Sequence, residues 1–109
     1  MERETEIKFQ EITKRIGIRQ FSKTYIYLKD CMDLIINDSL EVKYLKLKDI
    51  YNGVSEKTGT NADSIVRSII RAIKSCDEQK LKDIIGETDI TPCQFIYGIA
   101  MRICIELKK

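Results

Sequence analysis

Residues 53–75 read GVSEKTGTNADSIVRSIIRAIKS. We predict a short helix over residues 53–57, capped by Asn52, and a longer helix over about residues 61–75. Thr58, Gly59 and Thr60 separate the two helices, and glycine at the centre is typical of a tight turn. A short helix, a three-residue turn and a longer helix together form a candidate helix-turn-helix.

The longer helix has two chemically distinct sides. Thr60 followed by Asp63 predicts a capped start, with the acid near the positive helix end. At about 100° per residue, one broad arc is apolar; it holds Ala62, Ile65, Val66, Ile69, Ile70, Ala72 and Ile73. The other side carries hydroxyls and cations, namely Ser64, Arg67, Ser68, Arg71, Lys74 and Ser75. Solvated helix faces usually mix both signs of charge, so this bias favours an anionic partner.

Positive charge is concentrated around this motif. Between Lys43 and Lys74 the sequence has seven cations and three acids, so this stretch is +4 while the whole chain is +2. The rest of the chain is therefore about −2. Because phosphates require lysine or arginine around a groove-reading helix, this distribution is typical of a DNA-binding domain.

The remaining sequence also predicts helices. A weakly amphipathic helix over residues 2–15 ends at Gly17, and a second helix, capped by Ser22, stops near residues 37–39. Residues 44–51 alternate in part but favour a helix, and residues 77–85 form a short helix closed by Gly86. Thr91 caps a final helix that has Pro92 at its first position. We predict one all-α domain of five or six helices, with residues 15–109 as the helix-turn-helix domain and residues 1–14 as an N-terminal helix or partly ordered extension.

The composition argues against several functions. The chain contains no histidine, so Ser-His and Cys-His dyads and histidine metal ligands are absent. No Cys-x-x-Cys pair and no glycine-rich phosphate loop occurs, and the four cysteines are predicted to be buried free thiols. We expect no enzyme activity, no cofactor and no metal. Without a membrane-length apolar run or a signal peptide, the expected location is the cytosol.

Four segments, in order, resemble the C-terminal effector domain of the stage zero sporulation protein A family of response regulators. They cover about residues 15–107. Ile16-Gly17-Ile18 with Tyr25-Ile26-Tyr27-Leu28 is similar to the family's opening segment, and residues 50–60 resemble its next segment. Ile65, Arg67, Ile69, Ala72 and Ile73 match its recognition helix, and residues 91–96 resemble its closing helix.

The resemblance implies a bacterial six-helix transcription regulator that reads DNA through the second helix of the motif. It also implies tandem dimers on DNA, to which the closing helix contributes. The family has a phosphorylatable receiver domain, for which this chain has no room, so phosphorylation of the same chain is not expected to regulate it. Where the family has Arg, Glu, Arg and His in the recognition helix, this chain has Ser64, Val66, Ile70 and Arg71, whereas Arg67 is retained.

We predict that Ser64, Arg67 and Arg71 contact bases, and that Lys57, Thr60, Asn61 and Lys74 contact phosphates of double-stranded DNA. Val66 and Ile70 lack hydrogen-bonding groups, but they can touch thymine methyls. Alternatively, they contact a protein, in which case the chain is an interaction module that pairs with a full-length regulator or another partner. A structural domain that has lost its function is a third interpretation.

Overall fold

The computed structural model describes residues 1–87 and 89–108, and these residues form six α-helices. The helices are α1 (Arg3–Ile16), α2 (Lys23–Ile35), α3 (Leu47–Thr58), α4 (Ala62–Ser75), α5 (Glu78–Ile85) and α6 (Pro92–Leu107). Within the described residues, extended pairing is limited to an isolated antiparallel bridge between Ile36 and Val42. The all-α fold predicted from the sequence is confirmed.

The core is centred on α6, which packs against α1, α2, α4 and α5. Its residues Phe95, Ile96, Ile99 and Ile103 are completely buried. Burying an aliphatic or aromatic side chain of this size stabilises a fold by about 1.5–3 kcal/mol. The apolar side of α6 is therefore the main structural element of the core. Ile65 and Ile69 bring the inner side of α4 into the same core.

Several predicted helix ends are confirmed. Gly17 and Gly86 adopt the left-handed conformation directly after α1 and α5. The Ser22 side chain accepts a hydrogen bond from the Tyr25 amide at the start of α2. Thr91 caps α6 with a complete capping box, and Pro92 occupies the first turn.

The first helix of the motif is longer than predicted. The separate helices predicted over residues 44–51 and 53–57 are one helix, α3, and Asn52 is an exposed residue inside it rather than an N-cap. Gly53 lies within α3 because α2 approaches closely there. A Cβ atom at Gly53 would lie only 2.8 Å from Cδ1 of Leu34. Gly53 therefore serves helix packing rather than a helix end.

The connection before α3 is held in an irregular conformation. Lys43 donates its amide hydrogen bond to the Ile35 carbonyl, beside the Ile36–Val42 bridge. The Tyr97 hydroxyl accepts from the Leu45 amide at 2.8 Å and donates to the Leu45 carbonyl at 2.7 Å. These bonds satisfy backbone groups that a helix would otherwise pair, so α3 starts at Leu47 and not at residue 44.

Candidate nucleic-acid interface

The turn between α3 and α4 has the geometry of a helix-turn-helix. Gly59 ends α3 with φ of 72°, in the left-handed region that glycine tolerates best. Asn61, rather than the predicted Thr60, caps α4, because its side chain accepts from the Asp63 amide at 2.8 Å. Thr60 instead accepts a hydrogen bond from the Tyr27 hydroxyl at 3.4 Å. The structure has a turn at the predicted place, but both the turn and the cap are shifted by one position, because Thr58 is the last residue of α3.

The outer side of α4 brings the predicted base-contacting residues together. Ser64, Arg67 and Arg71 line one shallow depression along with Ile70. Nη2 of Arg67 lies 3.4 Å from Oγ of Ser64, and both arginines are exposed. Neither arginine forms an ion pair with any residue that the structure describes. Their charges are therefore available to an external anion.

The helical projection places Ser68 on the exposed polar side of α4, but in the structure Ser68 faces inward. It is buried, and its Oγ lies 2.5 Å from Oγ1 of Thr24 in α2. The prediction of an outward Ser68 is wrong because α2 packs across this part of α4. The hydroxyl pair fixes α2 directly beside the exposed side of α4.

Lys57 is directed away from the outer side of α4. Its ammonium lies 3.1 Å from Oδ2 of Asp33 and 3.4 Å from Oδ1 of Asp30, both in α2. The hydrogen bond to Asp33 raises the pKa of Lys57 and so favours the charged ammonium. That charge is locally balanced, unlike the charges of Arg67 and Arg71.

Lys74 lies at the opposite end of α4 from the turn. It lines a second depression between α4, α5 and the start of α6. This depression has both charged and apolar residues along it, namely Ile70, Ile73, Cys76, Glu78, Leu81, Asp89, Ile90 and Pro92. Lys74 is thus separated from Ser64 by almost the whole length of the helix.

Val66 and Ile70 differ in their environments. Val66 is half-buried and packs against the hydrophobic core. Ile70 is 37% exposed and borders both the Arg67 depression and the Lys74 depression. Of the two, only Ile70 presents a substantial apolar surface to a partner.

Sequence reasoning missed the contribution of α2 and the residues before it. Lys23, Ile26 and Tyr27 line a depression with Thr58, Thr60, Ser64, Ser68 and Arg71. A neighbouring depression joins Arg19, Ser22 and Thr24 to Arg71 and Ser75. Among the residues described, neither of these depressions has an acidic residue in its lining. Cations at positions 19 and 23 are a sequence signal, but nothing local connects them to Arg71.

The remaining features do not indicate another kind of site. Among residues 1–87 and 89–108, no cluster of three potential ligands could hold a metal ion. None of the helices that the structure describes is long and apolar enough to span a membrane. The candidate interface consists of hydroxyls and cations around α4, together with two exposed isoleucines, Ile70 on α4 and Ile26 on α2.

Comparison with known proteins agrees with this geometry. The model of one family, described as sporulation initiation factor Spo0A C terminal, matches residues 9–102. No solved structure matches the chain. The family consists of DNA-binding effector domains of transcription regulators and is not an enzyme family. With a helix-turn-helix in place and a family match over most of its length, the chain belongs to the Spo0A C-terminal family of DNA-binding domains.

Proposed function

We propose that the chain is a sequence-specific transcription regulator that inserts α4 into the major groove of double-stranded DNA. The observation that carries this proposal is the group formed by Ser64, Arg67 and Arg71, whose cations have no acidic partner among the described residues. Major-groove recognition commonly uses an arginine that binds the O6 and N7 atoms of guanine. Because bacterial DNA lies in the cytoplasm, the proposed site of action is cytoplasmic.

The proposed roles follow from position along α4. Arg67 lies at the centre of the exposed side and is assigned to a guanine, with Ser64 and Arg71 contacting bases or phosphates one turn away on either side. Asn61 and Thr60, in the turn, and Lys74, near the other end, are assigned to phosphates. We assign Lys57 to its ion pairs with α2 instead, because the carboxylates of Asp30 and Asp33 offset its charge and would repel a phosphate.

The decisive experiment is selection of bound duplexes from a random library, followed by affinity measurements on the selected sequence. Arg67→Ala is expected to lose about 1–3 kcal/mol of binding free energy and to accept other bases at one position. Lys74→Ala is expected to weaken binding to all duplexes about equally. Lys80→Ala, an exposed substitution on α5, is the matched control for loss of one charge. Selection of no common sequence, or an Arg67→Ala protein with unaltered specificity, would contradict the proposal.

A second candidate function is supported by the depression between α4, α5 and α6. Ile70 and Ile73 give it an apolar wall, while Glu78 and Asp89 supply charge beside Lys74. Such a surface suits a protein contact, either with a second copy bound to adjacent DNA or with another regulator. Sedimentation of the protein with a duplex carrying two selected sites tests the first case. Cooperative occupancy that Ile70→Arg abolishes would support self-association, and independent occupancy of the two sites would exclude it.

A further inference from the structure

The N-terminal part of α2 packs closely against α4. The hydroxyls of Thr24 and Ser68 join the two helices directly, and the Tyr27 hydroxyl donates a hydrogen bond to Thr60 in the turn that precedes α4. Helices packed side by side have axes about 8–10 Å apart. The major groove is only about 12 Å wide, so it accommodates one helix and not two. If α4 occupies the groove as proposed above, the start of α2 must lie over a phosphate-lined edge of that groove.

The residues at this position have the chemistry that such an edge requires. Arg19 and Lys23 are exposed, and neither forms an ion pair with a described residue. Each lines a depression that it shares with Arg71. By contrast, Lys29, farther along α2, is paired with Glu6 at 2.8 Å. Unpaired cations on α2 and the residues before it therefore occur on the side where α4 presents its own.

Phe21, between these two cations, is unusual in both exposure and backbone conformation. It is 73% exposed, and its φ is 63°, a region that non-glycine residues rarely adopt. Its ring lies 5.3 Å from that of Tyr25, which in turn lies 5.1 Å from the ring of Phe9. Phe21 is thus the exposed end of an aromatic column that is otherwise buried, and its free ring face can pack against a partner.

We propose that residues 19–23 form a second DNA contact, a phosphate clamp beside the groove that α4 enters. Arg19 and Lys23 bind phosphates of the bordering strand, and Phe21 packs on the apolar face of a deoxyribose. The clamp increases affinity for any duplex, whereas α4 supplies the preference for sequence. This inference rests on the proposed function, because it takes α4 as the helix in the groove.

The test uses the salt dependence of binding, since each neutralised phosphate contributes about 0.9 to the slope of log K against log salt on duplex DNA. The clamp variant combines Arg19→Gln with Lys23→Gln. Its control, Lys80→Gln with Lys82→Gln, removes the same charge from exposed positions on α5. Both are titrated with the selected duplex and with a duplex of mixed sequence, between about 50 and 200 mM salt.

We expect the clamp variant to bind both duplexes more weakly by the same factor, with a slope smaller in magnitude by about 2. The control should retain the slope of the unmodified protein. A variant with Arg19→Lys and Lys23→Arg keeps both charges and should also retain it, which separates loss of charge from loss of fold. Equal slopes for the clamp variant and the control would overturn the clamp.

Phe21→Ala provides an independent measurement. Since it removes no charge, it should lower affinity several-fold at every salt concentration without a change in slope. Unchanged affinity would remove Phe21 from the clamp. If Arg67→Ala alters base preference while the clamp variant behaves as its control, the clamp is wrong and the proposed function stands. If Arg67→Ala also has no effect, the proposed function itself fails.

Discussion

The side-chain hydroxyls of Thr24 and Ser68 lie 2.5 Å apart and join α2 to the middle of α4. These residues are 44 positions apart in sequence, and Ser68 is 9% exposed. An apolar contact at this place would hold the helices together without fixing their rotation. A hydrogen bond is directional, so it also sets which side of α4 faces outward.

Thr24→Val and Ser68→Ala should each destabilise the fold by about 1 kcal/mol, because each leaves a mostly buried hydroxyl without its partner. The double variant should cost less than the sum of the two, since no unpaired hydroxyl remains. Urea denaturation of the four proteins measures the coupling. Strict additivity would show that the two hydroxyls contribute independently.

Gly59→Ala should destabilise the chain by about 1 kcal/mol because alanine is strained at a positive φ. A Cβ at this position would meet no atom within 4 Å, so the penalty is conformational and not steric. Gly59→Asn is the control, since asparagine tolerates this backbone region better. Thermal unfolding should place the asparagine variant between the glycine and alanine proteins. Equal stability of all three would contradict the observed turn conformation.

Ile70 gives a prediction about the methyl group of thymine. If Ile70 lies against the floor of the major groove, replacing one thymine of the selected site by uracil should weaken binding of the unmodified protein. Ile70→Ser should bind the thymine and uracil duplexes equally. Ile7→Ser on α1, where the isoleucine is similarly exposed, is the control and should retain the preference for thymine. No thymine preference at any position would favour the protein-contact role of Ile70.

The environment of Glu106 leads us to expect that the stability of the fold depends on pH. Burial raises the pKa of Glu106, but the hydrogen bond from Arg102 at 2.6 Å and the charges of Arg15 and Arg102 outweigh it, so the pKa lies below the ordinary value of 4.5. A lowered pKa in the folded state stabilises the protein above the unfolded pKa. This stabilisation is lost as the pH falls through the folded pKa.

Glu106→Gln should therefore cost about 1 kcal/mol near neutral pH, and the difference from the unmodified protein should shrink in acid. Glu11→Gln is the control, because Glu11 is more exposed and pairs only with Lys8 among the described residues. Denaturation midpoints measured across the acidic range distinguish the two. A constant difference at every pH would contradict the role of the Glu106 carboxylate.

The prediction of four buried thiols is confirmed for Cys31 and Cys104, but Cys76 is only half-buried and Cys93 is exposed. Burial raises the pKa of Cys31 to about 12 and that of Cys76 to about 11. Because the thiolate is the reactive form, iodoacetamide should modify Cys93 first at neutral pH. Peptide mass mapping should locate the first adduct there, and Cys93→Ser should remove the fast reaction. Rapid modification of a second thiol would be inconsistent with this burial.

The sequence predicts core residues and helix ends best where they depend on contacts within a single helix. Periodicity along α4 identifies Ile65 and Ile69 as core residues, and the helix ends at Gly17 and Thr91 follow from local chemistry. Tyr44 and Leu45 were expected in a helix, yet both lie before α3, because Tyr97, 52 residues away, pairs with the Leu45 backbone. Local pattern carries no information about such a contact.

For the candidate interface, too, the sequence predicts what depends on one helix and not what depends on contacts between helices. Ser64, Arg67 and Arg71 are brought together by the helical repeat, so sequence alone groups them correctly. Lys57 is a cation in the same motif, but a charge count cannot reveal its pairing with Asp30 and Asp33. Whether residues 19–23 lie beside the candidate interface depends on how α2 packs against α4. This packing is a property of the tertiary structure and cannot be predicted from local sequence.

The double hydrogen bond between Tyr97 and Leu45 also limits how the connection between α2 and α3 can vary in length. One end of this connection is fixed by the Ile36–Val42 bridge, and the other is fixed to α6 by the tyrosine. Asp38 and Ser39 lie at the exposed tip of the turn that this bridge closes, and they take part in neither the bridge nor the tyrosine contact. Insertions should therefore be tolerated at the tip, where added residues can extend into solvent. An insertion between Val42 and Leu45 would shift the paired backbone out of reach of the tyrosine, so natural length variation should avoid it.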